Sequence, residues 1–230
     1  MTLAVAHTAP DAKALRGSLP LWVGVAIYVA VVIGGNRLLL DPDTLWQITV
    51  GQWILDHHAV PHTDVYSFTM HGQPWISTQW LAQVLYAEVY AWFGWTGPVA
   101  LAAIGIASAF TLFARFLTRY LPDSTTLAFV VAVFLLTLSH QLARPHVLAL
   151  PIMVAWMSGL IDAADRRAAP SFWLLPLMAL WANLHGGFVF GLMMIAPTAL
   201  DCVIGARAED RMRLAQRWAA FAALALAAGC

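Results

Sequence analysis

Charge is scarce in this 230-residue chain: twelve Lys and Arg face twelve Asp and Glu, together 10% of the residues, and they cancel to a net charge of zero. A soluble domain solvates its surface with about 25% charged residues, so the shortage excludes that class. The balance argues against nucleic acid as a partner, since such proteins carry a basic footprint. Cysteine is nearly absent too. With only Cys202 and Cys230, there is no disulfide framework and no cysteine metal site.

What fills the space is apolar: 61% hydrophobic residues and a mean hydropathy of +0.73. These values describe an all-α, polytopic transmembrane helix bundle. Hydrophobic windows predict spans at about 20–36, 98–119, 126–141, 146–163, 171–185 and 187–206, with a seventh starting near Trp218. Residues 1–19 then form a cytoplasmic tail, residues 20–230 the transmembrane domain, and residues 37–97 a long outer loop within it. The first span follows Lys13 and Arg16 and has no small-residue cleavage site after it, so it reads as an uncleaved anchor with the N-terminus inside. The chain ends at Ala228-Gly229-Cys230, about 13 residues into the apolar stretch after Arg217 where a span needs about 20, which reads as the N-terminal part of a longer protein.

Threading six spans from an inside N-terminus puts Lys13, Arg16, Arg115, Arg119, Arg166, Arg167, Arg207, Arg211, Arg213 and Arg217 on the cytoplasmic side. That is ten of the twelve basic residues, the asymmetry expected of a multi-pass inner (plasma) membrane protein. The same threading brings the outer loop, the turn at 139–146 and the turn at 183–187 to the outer face, with every histidine except His7. It requires the apolar stretch from Trp80 to Trp95 to lie along the interface. There Gln79, Gln83, Tyr86 and Tyr90 form one helical face, and Trp80, Leu81, Val84, Leu85 and Trp92 much of the rest.

The outer loop opens Asp41-Pro42-Asp43. Asp41 reads as an N-cap, Pro42 as the first helical residue and Asp43 as a first-turn carboxylate favoured by the helix dipole. Trp46, Val50, Trp53 and Ile54 then make the apolar stripe of a short surface helix ending near Asp56. Pro61 and the turn Gly72-Gln73-Pro74 break the chain before the second interfacial helix.

An acidic pair just after the first span, a short amphipathic helix, a Val60-Pro61 break and a turn into Trp75–Gln79 and Trp80-Leu81 together resemble the first outer loop of GT-C glycosyltransferases. The aminoarabinose-transferase and protein-mannosyltransferase type, with an uncharacterised bacterial branch, is the nearest in pattern. The run Leu180-Trp181-Ala182-Asn183-Leu184-His185-Gly186-Gly187 is similar to a motif of that branch. The resemblance implies an enzyme that transfers a sugar, with inversion, from a polyprenyl-phosphate donor to an acceptor at the outer face. It implies a first-loop acid, here Asp41 or Asp43, as base or metal ligand, and a cation from another loop, here Arg144, for the donor phosphate. Mg²⁺ or Mn²⁺ is a cofactor this resemblance permits without requiring.

That chemistry suits these residue types. An attacking hydroxyl gives its proton to a positioned carboxylate, and a leaving phosphate gains charge that a bidentate, permanently charged guanidinium stabilises. Two carboxylates this close repel, so one titrates high or both share a cation. Glu88 is a further acid candidate because it faces the apolar side of its helix; its plainer reading is a pair with Arg37. His146 beside Arg144, and Asn183 and His185 at a glycine-rich turn, are candidates to line the substrate cleft, or else an ordinary tight helix turn. His57, His58, His62 and His71 lack catalytic zinc spacing and read as solvated loop residues. Asp41 by itself can be a plain helix cap, and Arg144 can be an arginine reaching for bulk lipid phosphate. The other function class open to the chain is a transporter or lipid-binding membrane protein. Against it, the spans carry few ionisable residues and no internal repeat.

Overall fold

The computed structural model describes the backbone of residues 12–229 and the side chains of residues 18–229. Expectations placed on residues 1–11, on the Lys13 and Arg16 side chains and on Cys230 lie outside the described residues. Those described form ten α-helices and no strand: α1 (Ala12–Ile33), α2 (Asp43–His57), α3 (Trp80–Phe93), α4 (Thr96–Leu117), α5 (Asp123–Thr137), α6 (Pro145–Asp165), α7 (Leu175–Leu184), α8 (Phe188–Met193), α9 (Ile195–Ile204) and α10 (Ala208–Gly229). Short 3-10 helices at Gly35–Leu39, Leu138–His140 and Phe172–Leu174 link them.

Three helical stretches are long and apolar enough to cross a membrane: Thr96–Leu117, Asp123–His140 and Pro145–Asp165. The remaining expected spans differ in detail. Around 171–185 the apolar helix Phe172–Leu184 has 13 residues, about 20 Å at 1.5 Å per residue, short of a hydrocarbon core of about 30 Å. The stretch expected at 187–206 is broken at Met194 into α8 and α9; Pro197, in the first turn of α9, has no N–H to return to the preceding helix. The last helix starts at Ala208 rather than near Trp218, with Glu209 and Asp210 in its first turn, where carboxylates favour the helix dipole.

Small residues set the helix crossings, as expected where backbones must approach without a hydrophobic driving force. A side chain at Gly105 of α4 would come within 2.7 Å of the Val147 carbonyl oxygen of α6, one at Gly51 of α2 would run into the Gln83 backbone of α3, and one at Gly24 of α1 would meet Thr111 of α4. Trp156, Leu160, Met178, Trp218 and Phe221 are fully buried among α6, α7 and α10. The Trp156 indole N–H donates to the Gly191 carbonyl at 2.9 Å and its ring stacks on Phe221 at 5.7 Å. The stretch containing α5 is the exception, only 11% buried against 39% and 44% for the other two long stretches. It leans away from the bundle and leaves a groove on each side.

The interfacial pair is tightly joined. With 15 and 14 residues, α2 and α3 fall short of the about 20 that cross a bilayer. The polar face of α3 turns inward: Gln83 and Tyr86 are fully buried, while Trp92 is 75% exposed on the other side. The Ser77 hydroxyl donates to Gln83 Oε1 at 2.6 Å, and Gln79 Nε2 donates to Gln47 Oε1 on α2 at 3.2 Å.

Charge separates along α6, whose 21 residues span about 30 Å. Its C-terminal end gathers Arg119–Asp162 (2.7 Å), Tyr120–Asp165 (2.7 Å) and Arg167–Asp201 (3.1 Å). Its N-terminal end carries Arg144 and His146.

Candidate functional site

The acid pair and the arginine expected from separate loops meet at that N-terminal end of α6. Arg144 is the residue that caps α6, in extended conformation just before Pro145. Its Nη1 lies 3.2 Å from Asp41 Oδ2, and its Nη2 pairs with Asp43 Oδ2. The two carboxylates therefore share a cation, as their proximity demands, and the cation is the guanidinium.

Asp41 both shapes the turn before α2 and serves as an ion-pair partner. Its Oδ1 accepts the Asp43 backbone N–H at 2.8 Å while its Oδ2 faces Arg144. Both of its oxygens are thus engaged. Helix α2 begins at Asp43, one residue later than expected: Pro42 holds the N-cap position, and Asp41, expected there, lies one residue outside it in a turn onto the Asp43 N–H. Asp43 makes only the Arg144 pair among the described residues and is the more exposed of the two, 41% against 20%.

Backbone bonds lock the two loops together. Ala143 N–H donates to the Leu38 carbonyl at 2.8 Å, Thr44 Oγ1 donates to the Ala143 carbonyl at 3.0 Å, and Tyr86 donates its hydroxyl to the Arg144 carbonyl at 3.1 Å. Full burial pushes the Tyr86 phenol up, so it stays a neutral donor. Tyr86 was legible as part of a polar face, yet its role in holding Arg144 depends on a contact 58 residues away.

His146 and His185 complete the cluster, with rings 6.2 Å apart. A nitrogen of His146, Nε2, lies 2.7 Å from the His140 carbonyl, which calls for a proton there. His185 Nδ1 accepts the Gly187 N–H at 3.0 Å, which places its proton on Nε2 in the neutral ring. Asn183 sits a turn back in α7, where its Oδ1 accepts the Trp80 indole N–H at 2.6 Å and its Nδ2 donates to the Ala179 carbonyl at 2.7 Å. Asn183 thus ties α7 to α3 with both ends of its amide engaged.

Glu88 is not drawn in. It is half-buried on α3 with no ion pair or hydrogen bond among the described residues, and the expected partner Arg37 is exposed elsewhere. The loop histidines are dispersed: His57 stacks on Trp53 at 4.2 Å, His58 closes α2 in left-handed conformation, and His62 and His71 are exposed. Among the described residues no group of three or more His, Cys, Asp or Glu is placed to hold a metal ion. A divalent ion at the acid pair would have to displace the guanidinium.

A groove of about 450 Å³ reaches this end of α6 between α4, α5 and α6. Phe110, Phe113, Val133, Leu150 and Met157 line its length, and His140, Gln141 and His146 its polar rim. Across the cluster, residues 62–75 form a hairpin-like turn pinned to α2 by Trp46, Tyr66 and Trp75, with Trp46 4.8 Å from Tyr66 and 6.0 Å from Trp75. Asp64 shapes this turn by accepting from Tyr66 N, Ser67 N and the Ser67 hydroxyl, and these bonds, the hydroxyl's first, hold its carboxyl below the usual range.

No family model matches the chain, and no curated protein or solved structure is detectably similar to it.

Proposed function

We propose that this protein is a membrane glycosyltransferase that moves a sugar from a polyprenyl-phosphate donor to an acceptor hydroxyl at the outer face of the membrane. One observation carries the reading: two first-loop carboxylates converge on an arginine from another loop, which stands just before His146 at the polar rim of an apolar groove.

The groove between α4, α5 and α6 suits a prenyl chain, being apolar along its length with nitrogen-bearing side chains only at the rim. A donor seated there brings its phosphate to Arg144 and His146. The phosphate competes with Asp43 for the guanidinium fork, since both are planar or tetrahedral oxyanions. Asp41, fixed through both oxygens, stays and orients Arg144; Asp43 is released as the base. The acceptor oxygen then bonds to the anomeric carbon as its proton passes to Asp43. The bond from that carbon to the phosphate oxygen breaks, and its electron pair leaves with the phosphate, whose charge Arg144 stabilises.

Purified protein with a radiolabelled polyprenyl-phosphate sugar tests the assignment. Asp43→Asn is expected to bind donor at least as tightly, because its carboxylate no longer competes for the Arg144 fork, and to lose transfer by about 10² to 10⁴-fold, the usual worth of a general base. Full transfer by this variant would remove Asp43 as the base. A lipid-binding protein without catalysis would bind donor and consume none, in the native chain as in the variant.

A further inference from the structure

A second groove lies on the opposite side of α5, apart from the acid pair. Its volume is about 960 Å³, and its walls come from the end of α1 (Ala30, Val31, Ile33), from Leu38 and Leu40, and from Phe134, Leu135 and Leu138 at the end of α5. Three polar side chains reach it: Arg37, Ser139 and Gln141.

Two of these offer hydrogen-bonding capacity that no described residue uses. Arg37 is exposed and makes no ion pair among the described residues, so its fork is open to an oxyanion. Gln141, which also lines the first groove, has a relative exposure of 6%; its Nε2 donates to Thr137 Oγ1 at 3.1 Å, yet its Oε1 has no donor among the described residues. A buried acceptor left unpaired is costly, and one lining a cavity asks for a donor from the cavity's occupant. The occupant must therefore combine an apolar chain for the walls, an anionic group for Arg37 and a hydroxyl for Gln141.

We propose that this groove binds an anionic phospholipid whose phosphate sits on the Arg37 guanidinium and whose headgroup hydroxyl donates to Gln141 Oε1, phosphatidylglycerol having that chemistry. The opening at Gly34 helps, because a side chain there would meet only its own helix carbonyls, at 3.5 and 3.7 Å, and the glycine leaves the groove clear.

Photo-crosslinking tests the site with no sugar donor present, so it stands or falls separately from the transferase reading. The full chain is placed in nanodiscs of unlabelled phosphatidylcholine containing a trace of diazirine-tailed phosphatidylglycerol or diazirine-tailed phosphatidylcholine, and crosslinked peptides are mapped. Phosphatidylglycerol is expected to label residues 30–40 and 134–142 about tenfold more strongly than phosphatidylcholine, because its headgroup keeps a net negative charge beside Arg37 and has a donor hydroxyl, where choline is cationic and has none. Arg37→Gln should erase that preference, Arg37→Lys should keep most of it, and Gly34→Phe should block labelling of the groove by filling it. Equal labelling by the two lipids in the unaltered protein would overturn the proposal with no variant needed. So would a preference that survives Arg37→Gln or labelling that survives Gly34→Phe.

Discussion

Asp41 and Asp43 differ in how many partners hold them, and that difference gives each residue its own prediction. Asp41 accepts the Asp43 N–H and pairs with Arg144 at once, so Asp41→Ala removes a local hydrogen bond worth about 1 kcal/mol and frees Arg144, lowering stability as well as any activity. Asp43→Asn keeps the helix start and is expected to leave thermal unfolding in detergent nearly unchanged. A circular-dichroism melt of the two variants separates the roles: equal melts would contradict the division. Asp64 makes a pH prediction. Its folded carboxyl is held below the ordinary carboxylate range, first by the Ser67 hydroxyl, so the turn it stabilises is fully supported above that range and loses support as pH falls through the lowered value. Amide protection across residues 62–75, corrected for the intrinsic pH dependence of exchange, should therefore be high at pH 7 and fall on acidification below the carboxylate range, and Asp64→Asn should already be low at pH 7.

At the level of helices, close crossings depend on glycine rather than on large apolar residues. Gly51 touches the Gln83 backbone, so Gly51→Val must push α2 off α3 and costs about 1 to 3 kcal/mol as overpacking does. Because α2 carries Asp43 and α3 carries Tyr86, the same change should loosen Arg144, read as faster exchange at 143–147. A variant that melts normally would mean the crossing tolerates a side chain. The helices themselves were largely legible from hydrophobic windows and from the helix-start signal at Asp41-Pro42-Asp43. Their lengths were less so: windows average over Met194, where Pro197 breaks the run, and over the polar first half of α10, whose helix is favoured by Glu209 and Asp210.

Across the molecule, charged pairs at Arg119, Asp162, Arg167 and Asp201 lie at one end of α6 and the acid–arginine cluster at the other. With three helical stretches able to span a bilayer, the hairpin-like turn and the start of α10 are expected on opposite sides. Single cysteines placed at exposed His71 and Glu209, with Cys202 and Cys230 replaced by alanine, should react with an impermeant maleimide from opposite faces of sealed vesicles. Labelling from one face alone would overturn this arrangement.

Hydropathy and charge patterning are local sums, so residue order alone establishes a helical, membrane-type chain with an acidic loop after its first apolar helix. It also marks Asp41, Asp43, Arg144, His146, Asn183 and His185 as polar residues at helix ends. Which of these meet is a matter of packing between segments about a hundred residues apart, set by Gly105 against Val147 and by the Ala143–Leu38 bond. That packing joins Arg144 to both aspartates, leaves Glu88 without a partner among the described residues, and opens a groove on each side of α5 because that helix is so little buried. No window of sequence contains such contacts, since their energy comes from surfaces that face each other only after the helices have assembled.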